Sequence, residues 1–175
     1  MARSLVRADF LLRLMLAAIL TILPLAAAHA GNLPTQLRID HALRIAHQRI
    51  TIDYVETNGT VTARVRTRHS DAAGIPQIDK THSLTPGQAQ KLRQLFSALD
   101  LPDLRSSPHD LGLKGTDGSN WILSYRNSAG EIESIKMWSP DLKNEERGLT
   151  DYVALFRFAL DAAGFDPDTT LPRAP

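Results

Sequence analysis

The sequence predicts an α+β fold, an antiparallel sheet of about five strands (two hairpins plus one strand) with two helices packed on one face. Three observations predict it. A stretch that alternates apolar and polar residues, ITIDYVETNGTVTARVRTRH from Ile50, folds back on Asn58-Gly59. A helix start follows at Leu84-Thr85-Pro86, and a second alternating pair turns within Asn127 to Gly130 before a helical repeat closes the chain. Strands with period two and helices segregated after them are the pattern of an α+β layer.

The chain opens with MARSLVRADFLLRLMLAAILTILPLAAAHA, in which Arg3, Arg7 and Arg13 precede an apolar run from Leu14 to Ala28 and a small-residue site at Ala28-His29-Ala30. That three-part arrangement is a secretory signal peptide cleaved after Ala30. The apolar run is shorter than the roughly 20 residues a spanning helix needs, and no cysteine follows it to carry a lipid. Residues 1–30 are therefore read as a signal peptide, 31–165 as a single α+β domain and 166–175 as a mobile tail. The mature protein is expected in the periplasm or secreted, meeting a membrane only transiently during export.

Cleavage takes away Arg3, Arg7, Arg13 and Asp9 and leaves 17 basic against 18 acidic residues, a formal charge of −1. A nucleic-acid binder shows a strong basic excess, so that class is set aside. No polybasic segment of the kind that grips anionic membranes is present either. The chain has no cysteine, so a domain that lives outside the cytoplasm must rest on burial instead of disulfides. Its length allows that, since a domain near 150 residues buries about 68–70% of its unfolded surface.

The first hairpin has the strongest local signal, because Asn-Gly tolerates the positive φ that both turn residues require. With Thr57 opposite Thr60, the register places Ile52 against Val65 and Tyr54 against Ala63 on one face. On the other face Asp53 opposes Arg64, Thr51 opposes Arg66 and Arg49 opposes Arg68, which makes one face apolar and the other basic. Upstream, HALRIAHQ reads equally as a short helix or as an extended lead-in. Ser70 to Gln77 is a loop on its Asp, Gly and Pro content, and Asp79 to Ser83 returns as a third strand beside the hairpin.

In LTPGQAQKLRQLFSALDLPDL, Thr85 is the N-cap, Pro86 takes the first helical position and Gln88 completes a Thr-x-x-Gln capping box. Leu92, Leu95, Phe96 and Leu99 form the buried stripe and Pro102 stops the helix. The strand NWILSYR buries Trp121, Leu123 and Tyr125, with Ile122 and Ser124 partly covered on the other side, and EIESIKMWSP pairs with it until Pro140. Both tryptophans are expected in the core. A last helix runs from about Thr150 to Ala163 with Tyr152, Val153, Phe156, Ala159, Leu160 and Ala163 inward and Gly164 as its stop. The tail DPDTTLPRAP has little to bury.

Chemistry-bearing motifs are sparse. LKGTDGSNWILSY lacks the Gly-Lys-Ser/Thr of a P-loop, puts Leu113 and Gly115 where an EF-hand needs acids, and precedes a strand where phosphate cradling needs a helix. Asp117-Gly118 is read as a turn into the Trp121 strand. Of His41, His47, His69, His82 and His109, only His69-x-Asp71 and His109-Asp110 offer two nearby ligands, whereas a catalytic zinc site takes three from the protein. No Gly-x-Ser-x-Gly elbow occurs and thiol catalysis is excluded. Glu145-Glu146 reads as solvated surface. No catalytic residue, metal or cofactor is assigned.

What stands out is the row Arg64, Arg66 and Arg68 with Arg49 beside it, offset on that face by Asp53 alone. Guanidinium groups in a row grip carboxylates or phosphates in bidentate fashion, while charged strands also serve simply to discourage edge pairing.

With Asn58-Gly59, Leu84 to Gln88, Asp117-Gly118-Ser119-Asn120-Trp121 and Trp138-Ser139-Pro140 in place, the chain resembles a loose group of small exported bacterial proteins over roughly Ile50 to Gly164. The resemblance implies the fold and the compartment, through turns, caps and aromatics, and carries over no catalytic residue. The function expected is a non-enzymatic binding or accessory domain of the bacterial envelope, contacting an acidic protein or anionic polymer through Arg49, Arg64, Arg66 and Arg68. An inhibitor of an extracellular hydrolase and an accessory factor in envelope assembly are two forms of it. The alternative is a small periplasmic hydrolase or metal-dependent enzyme built on His69, Asp71 and a distant third group.

Overall fold

A computed structural model describes residues 33–43, 48–68, 77–113 and 118–171. Six strands and three helices follow in the order β1 (Leu37–Leu43), β2 (Gln48–Thr57), β3 (Thr60–Arg68), β4 (Asp79–Ser83), α1 (Pro86–Ser97), α2 (Leu101–Ser106), β5 (Ser119–Arg126), β6 (Ile132–Trp138) and α3 (Thr150–Ala162). The strands make one antiparallel sheet in the order β4-β3-β2-β1-β5-β6.

The first hairpin has the register its sequence dictates. Thr57 pairs with Thr60, Ile52 with Val65, Tyr54 with Ala63, and Arg49 with Arg68. Asn58 and Gly59 take φ of 50° and 78°, the left-handed pair that matches a two-residue turn to the twist of the strands.

The sixth strand is β1, from the segment readable as helix or lead-in. It is extended and central, with β2 on one side and β5 on the other. Leu37, Ile39 and His41 point one way and Arg38 and Asp40 the other, the alternation of a strand and not of a helix.

Core residues alternate on every strand except the edge strand β4: Ile50, Ile52 and Tyr54; Val61, Ala63 and Val65; Trp121, Leu123 and Tyr125; Ile135 and Met137. Against this face lie α1, through Ala89 and Leu92, and α3, through Tyr152, Val153, Leu155, Phe156, Ala159 and Leu160. The Trp121 and Phe156 rings stack at 5.0 Å, and the Tyr152 hydroxyl donates to the carbonyl of Trp121 at 2.9 Å. Such aromatic contacts carry large buried area and fix orientation as well.

The capping box at α1 is complete, with the Thr85 side chain accepting from Gln88 N and the Gln88 side chain accepting from Thr85 N. Pro102 does more than end α1. It lies at the start of α2, capped by Asp100, because a proline lacking its N–H costs nothing in a first helical turn. Among the described residues the helices are thus three, where two were expected. α3 ends at Gly164, whose φ of 86° suits glycine.

Residues 166–171 of the expected mobile tail form a closed turn: Asp166 N donates to the Leu171 carbonyl, Thr170 N donates back to that of Asp166, and Arg157 pairs with Asp168. Residues 172–175 lie outside the described residues, as do residues 70–76 of the loop expected over Ser70 to Gln77. Among the described residues no helix is long and apolar enough to cross a membrane.

Candidate functional site

The described helices pack on one face of the sheet, and among the described residues the opposite face is lined by the sheet's own side chains. The pleat brings Arg64, Arg66 and Arg68 from β3, Arg49, Thr51 and Asp53 from β2, and Arg38 and Asp40 from β1 to that face. The four arginines singled out in the sequence therefore share one surface. Arg38, Asp40 and Asp79 join them, so the expectation that Asp53 alone offsets the charge is corrected. The signal for Arg38 and Asp40 was the alternation of Leu-Arg-Ile-Asp-His, hidden by its overlap with a helical reading. Asp79 became visible once β4 was set beside β3 in register, opposite Arg66.

The acids are shared unevenly. Asp53 accepts from Arg38 Nε at 2.5 Å and from Arg66 Nη2 at 2.5 Å. Asp40, 5% exposed, accepts from Arg49 Nε at 3.1 Å and from the Thr51 hydroxyl at 2.5 Å. Arg64 grips Asp79 with Nε at 3.0 Å and Nη2 at 2.9 Å. That fork holds the Asp79 carboxyl below the usual carboxylate range, and the same bond raises Arg64. The Asp53 hydrogen bond likewise raises Arg38. Arg68 has no acidic partner among the described residues, and Arg66 Nε is buried without an acceptor. Across β1 to β4, five arginines against three aspartates leave a formal +2 on the face, and Lys136, opposite Ile122 on β6, adds to the excess.

Two depressions flank the Arg66/Arg68 ridge. One, of ≈160 Å³, is lined by Arg38, Asp40, Arg49, Thr51, Arg66 and Arg68. The other, of ≈540 Å³, lies toward β4 between Arg64, Arg68 and Asp79.

Comparison with protein-family models, with curated proteins and with solved structures finds no match to this chain. The site has to be argued from its own atoms.

His69 and Asp71 lie outside the described residues, as do His47 and Asp117. Among the described residues no three His, Cys, Asp or Glu converge as metal ligands. His109 is structural. Its Nδ1 lies 2.8 Å from the Arg147 carbonyl, while Arg147 Nε donates to the His109 carbonyl, so the two residues clasp each other. His41, 3% exposed, packs edge-on to Trp121 at 5.1 Å with Nδ1 unpartnered, and burial lowers it to about 4.

Trp121 is in the core as expected, but Trp138 is not. Its position in β6 puts it half-buried on the arginine side, against Gly118. A Cβ at Gly118 would stand 2.5 Å from Trp138 Nε1, so that glycine makes room for the indole.

Proposed function

We propose that the mature chain, exported and freed of its leader near Ala30, is a non-enzymatic binding domain of the bacterial envelope that holds an acidic partner against the face carrying Arg49, Arg64, Arg66 and Arg68. The observation that carries this reading is a sheet face, turned away from the described helices, whose five arginines on β1 to β3 exceed the three aspartates of β1, β2 and β4. A solvated face designed only to resist edge pairing needs charge at the edge strand. Here three of the arginines sit on β3, inside the sheet order, where no edge has to be guarded. Guanidinium groups are weakly hydrated and present forks that match carboxylates and phosphates, so a row of them gives up little to make contact. Export supplies the setting, and a partner in the envelope is then the one the domain meets.

Retention of the mature domain on immobilised polyglutamate, together with capture from envelope extract, tests the reading beside a triple variant Arg49→Ser, Arg64→Ser and Arg68→Ser. Retention that falls with salt, as exposed ion pairs are screened, and that is lost from a variant with an unchanged melting temperature is the expected result. Equal retention of both proteins returns the arginines to a solvated surface.

A further inference from the structure

We propose that the depression between Arg49, Arg66 and Arg68 seats a phosphate group, free or carried as a terminal monoester on an envelope polymer. This rests on the arginine face being a binding surface and narrows it to one seat and one chemistry.

The sheet register divides the face into cross-strand rows. One runs Arg64, Asp53, Arg38 and Ser124, and the next Asp79, Arg66, Thr51, Asp40, Ile122 and Lys136, so each holds at least one acid. The third runs Arg68, Arg49, Ala42, Asn120 and Trp138 and holds none. Two guanidiniums directly opposite each other repel, and nothing in their row answers them. This row is therefore where two cations of the face stand opposed with no acid beside them.

The donors left over are gathered there too. Arg49 spends Nε on Asp40, which leaves its terminal nitrogens. Arg66 spends Nη2 on Asp53, and its Nε has no acceptor. Arg68 makes no ion pair among the described residues. All three line the same ≈160 Å³ depression. The carboxylate in its wall, Asp40, is already engaged by Arg49 and by the Thr51 hydroxyl. Three guanidiniums converging on a small concavity match the oxygens of a phosphate, with Arg66 turning to bring its spare N–H to bear.

Charge selects among oxyanions. Arg38, Arg49, Arg66 and Arg68 line the depression against Asp40, and Asp53 engages Arg38 and Arg66, so four cations against two carboxylates leave a formal +2 there, which a dianion matches. A phosphomonoester carries about −1.5 to −2 near neutral pH, whereas a carboxylate or a phosphodiester carries −1 and leaves half the excess uncompensated.

The test is calorimetric titration of the mature domain at low salt and pH 8 with inorganic phosphate, glycerol phosphate, dimethyl phosphate and acetate. Arg68→Ser and Arg49→Ser remove donors from the seat. Lys136→Ser removes one charge from the same face outside it. Saturable one-site binding of phosphate or glycerol phosphate is expected, weakened about tenfold or more by either seat variant, as loss of a charge-assisted contact implies, and little changed by Lys136→Ser. Tighter binding of glycerol phosphate identifies a polymer-borne ester, and tighter binding of inorganic phosphate identifies the free ion. No saturation, equal binding of acetate or dimethyl phosphate, or equal loss in all three variants overturns the seat. Should the seat fail while polyglutamate retention still depends on the arginines, the binding face stands without it; should retention fail as well, both readings fall.

Discussion

Replacing Arg147 with Met removes a buried cation that holds two loops to each other. Arg147 is 5% exposed, and its guanidinium donates to the carbonyls of His109, Trp138, Ser139 and Leu142. Burial lowers its affinity for a proton, and Asp141 and Asp110 act against that from a distance. The segments it joins carry left-handed backbone at Leu111, Ser139, Lys143 and Gly148, with φ between 37° and 66°. Non-glycine residues in that region cost about 1–2 kcal/mol each, so something must hold them. Hydrogen bonds from a charged donor are worth about 1.5–3 kcal/mol each, but four from one group do not add. Leaving buried carbonyls without a donor costs about 1–3 kcal/mol each, so a total of about 3–5 kcal/mol is expected for the group. For a domain of this size that lowers the melting temperature by about 10–20 °C. Urea unfolding of Arg147→Met beside wild type should show the midpoint falling with the slope unchanged. Arg147→Lys keeps the charge without the fork and should fall between them. A Met variant melting within about 3 °C of wild type would refute the argument, showing that water satisfies those carbonyls as well as Arg147 does.

Gly118→Ala forces a methyl against the Trp138 indole at 2.5 Å and should cost about 1–3 kcal/mol, visible in the melting temperature and in Trp fluorescence. Tyr152→Phe deletes the hydroxyl that reaches the carbonyls of Trp121 and Ile135, with an expected loss of about 1 kcal/mol by urea unfolding. Buried neutral His41, lowered to about 4 from an ordinary 6.5, makes the unfolded chain bind more protons between those values. Stability is then full above pH 6.5 and falls on the order of 3 kcal/mol as pH drops toward 4. Chemical denaturation across that window should show the fall, and His41→Phe should flatten it.

Much of the fold was legible because local chemistry and global packing agree. Asn58-Gly59 admits one turn and so one register, and Thr85-Pro86 with Gln88 admits one helix start. β1 was not legible for the opposite reason. Asp40 and His41, 5% and 3% exposed, occupy a central strand where burial normally selects apolar residues, and the flanking Ala42-Leu43 lends the segment helical spacing. Only the pairing of β1 with β2 and β5 supplies what its composition lacks: Asp40 is buried under Arg49 and Thr51, and His41 is buried against Trp121. α2 was missed because Pro102 reads as a stop, although the same residue suits a start. Trp138 was misplaced because a large aromatic implies the core, while the strand's period puts it on the other side.

The arginine face shows which part of a site one strand reveals and which it hides. Alternation in β3 places three arginines on one side, and this follows from the chain alone. Their neutralisation does not, because Asp40 arrives from β1 and Asp79 from β4, and neither position is fixed until the strands are ordered. Ordering them changes the argument from a basic row to an uneven one. Arg64 is held by Asp79 and Arg66 by Asp53, which removes them from the free charge that a sequence count assigns. Arg49 and Arg68 remain opposed, with Asp40 reaching only the first. If that opposition serves no ligand, Arg68→Ser should relieve repulsion and leave the domain slightly more stable in any buffer. A seat for phosphate predicts something else: the variant is the more stable protein without phosphate and loses that advantage as phosphate is added, since only the wild type gains from binding. Thermal melts of both proteins across a phosphate titration at constant ionic strength separate the two, and melting curves that keep a fixed spacing throughout would leave the pair as surface charge alone.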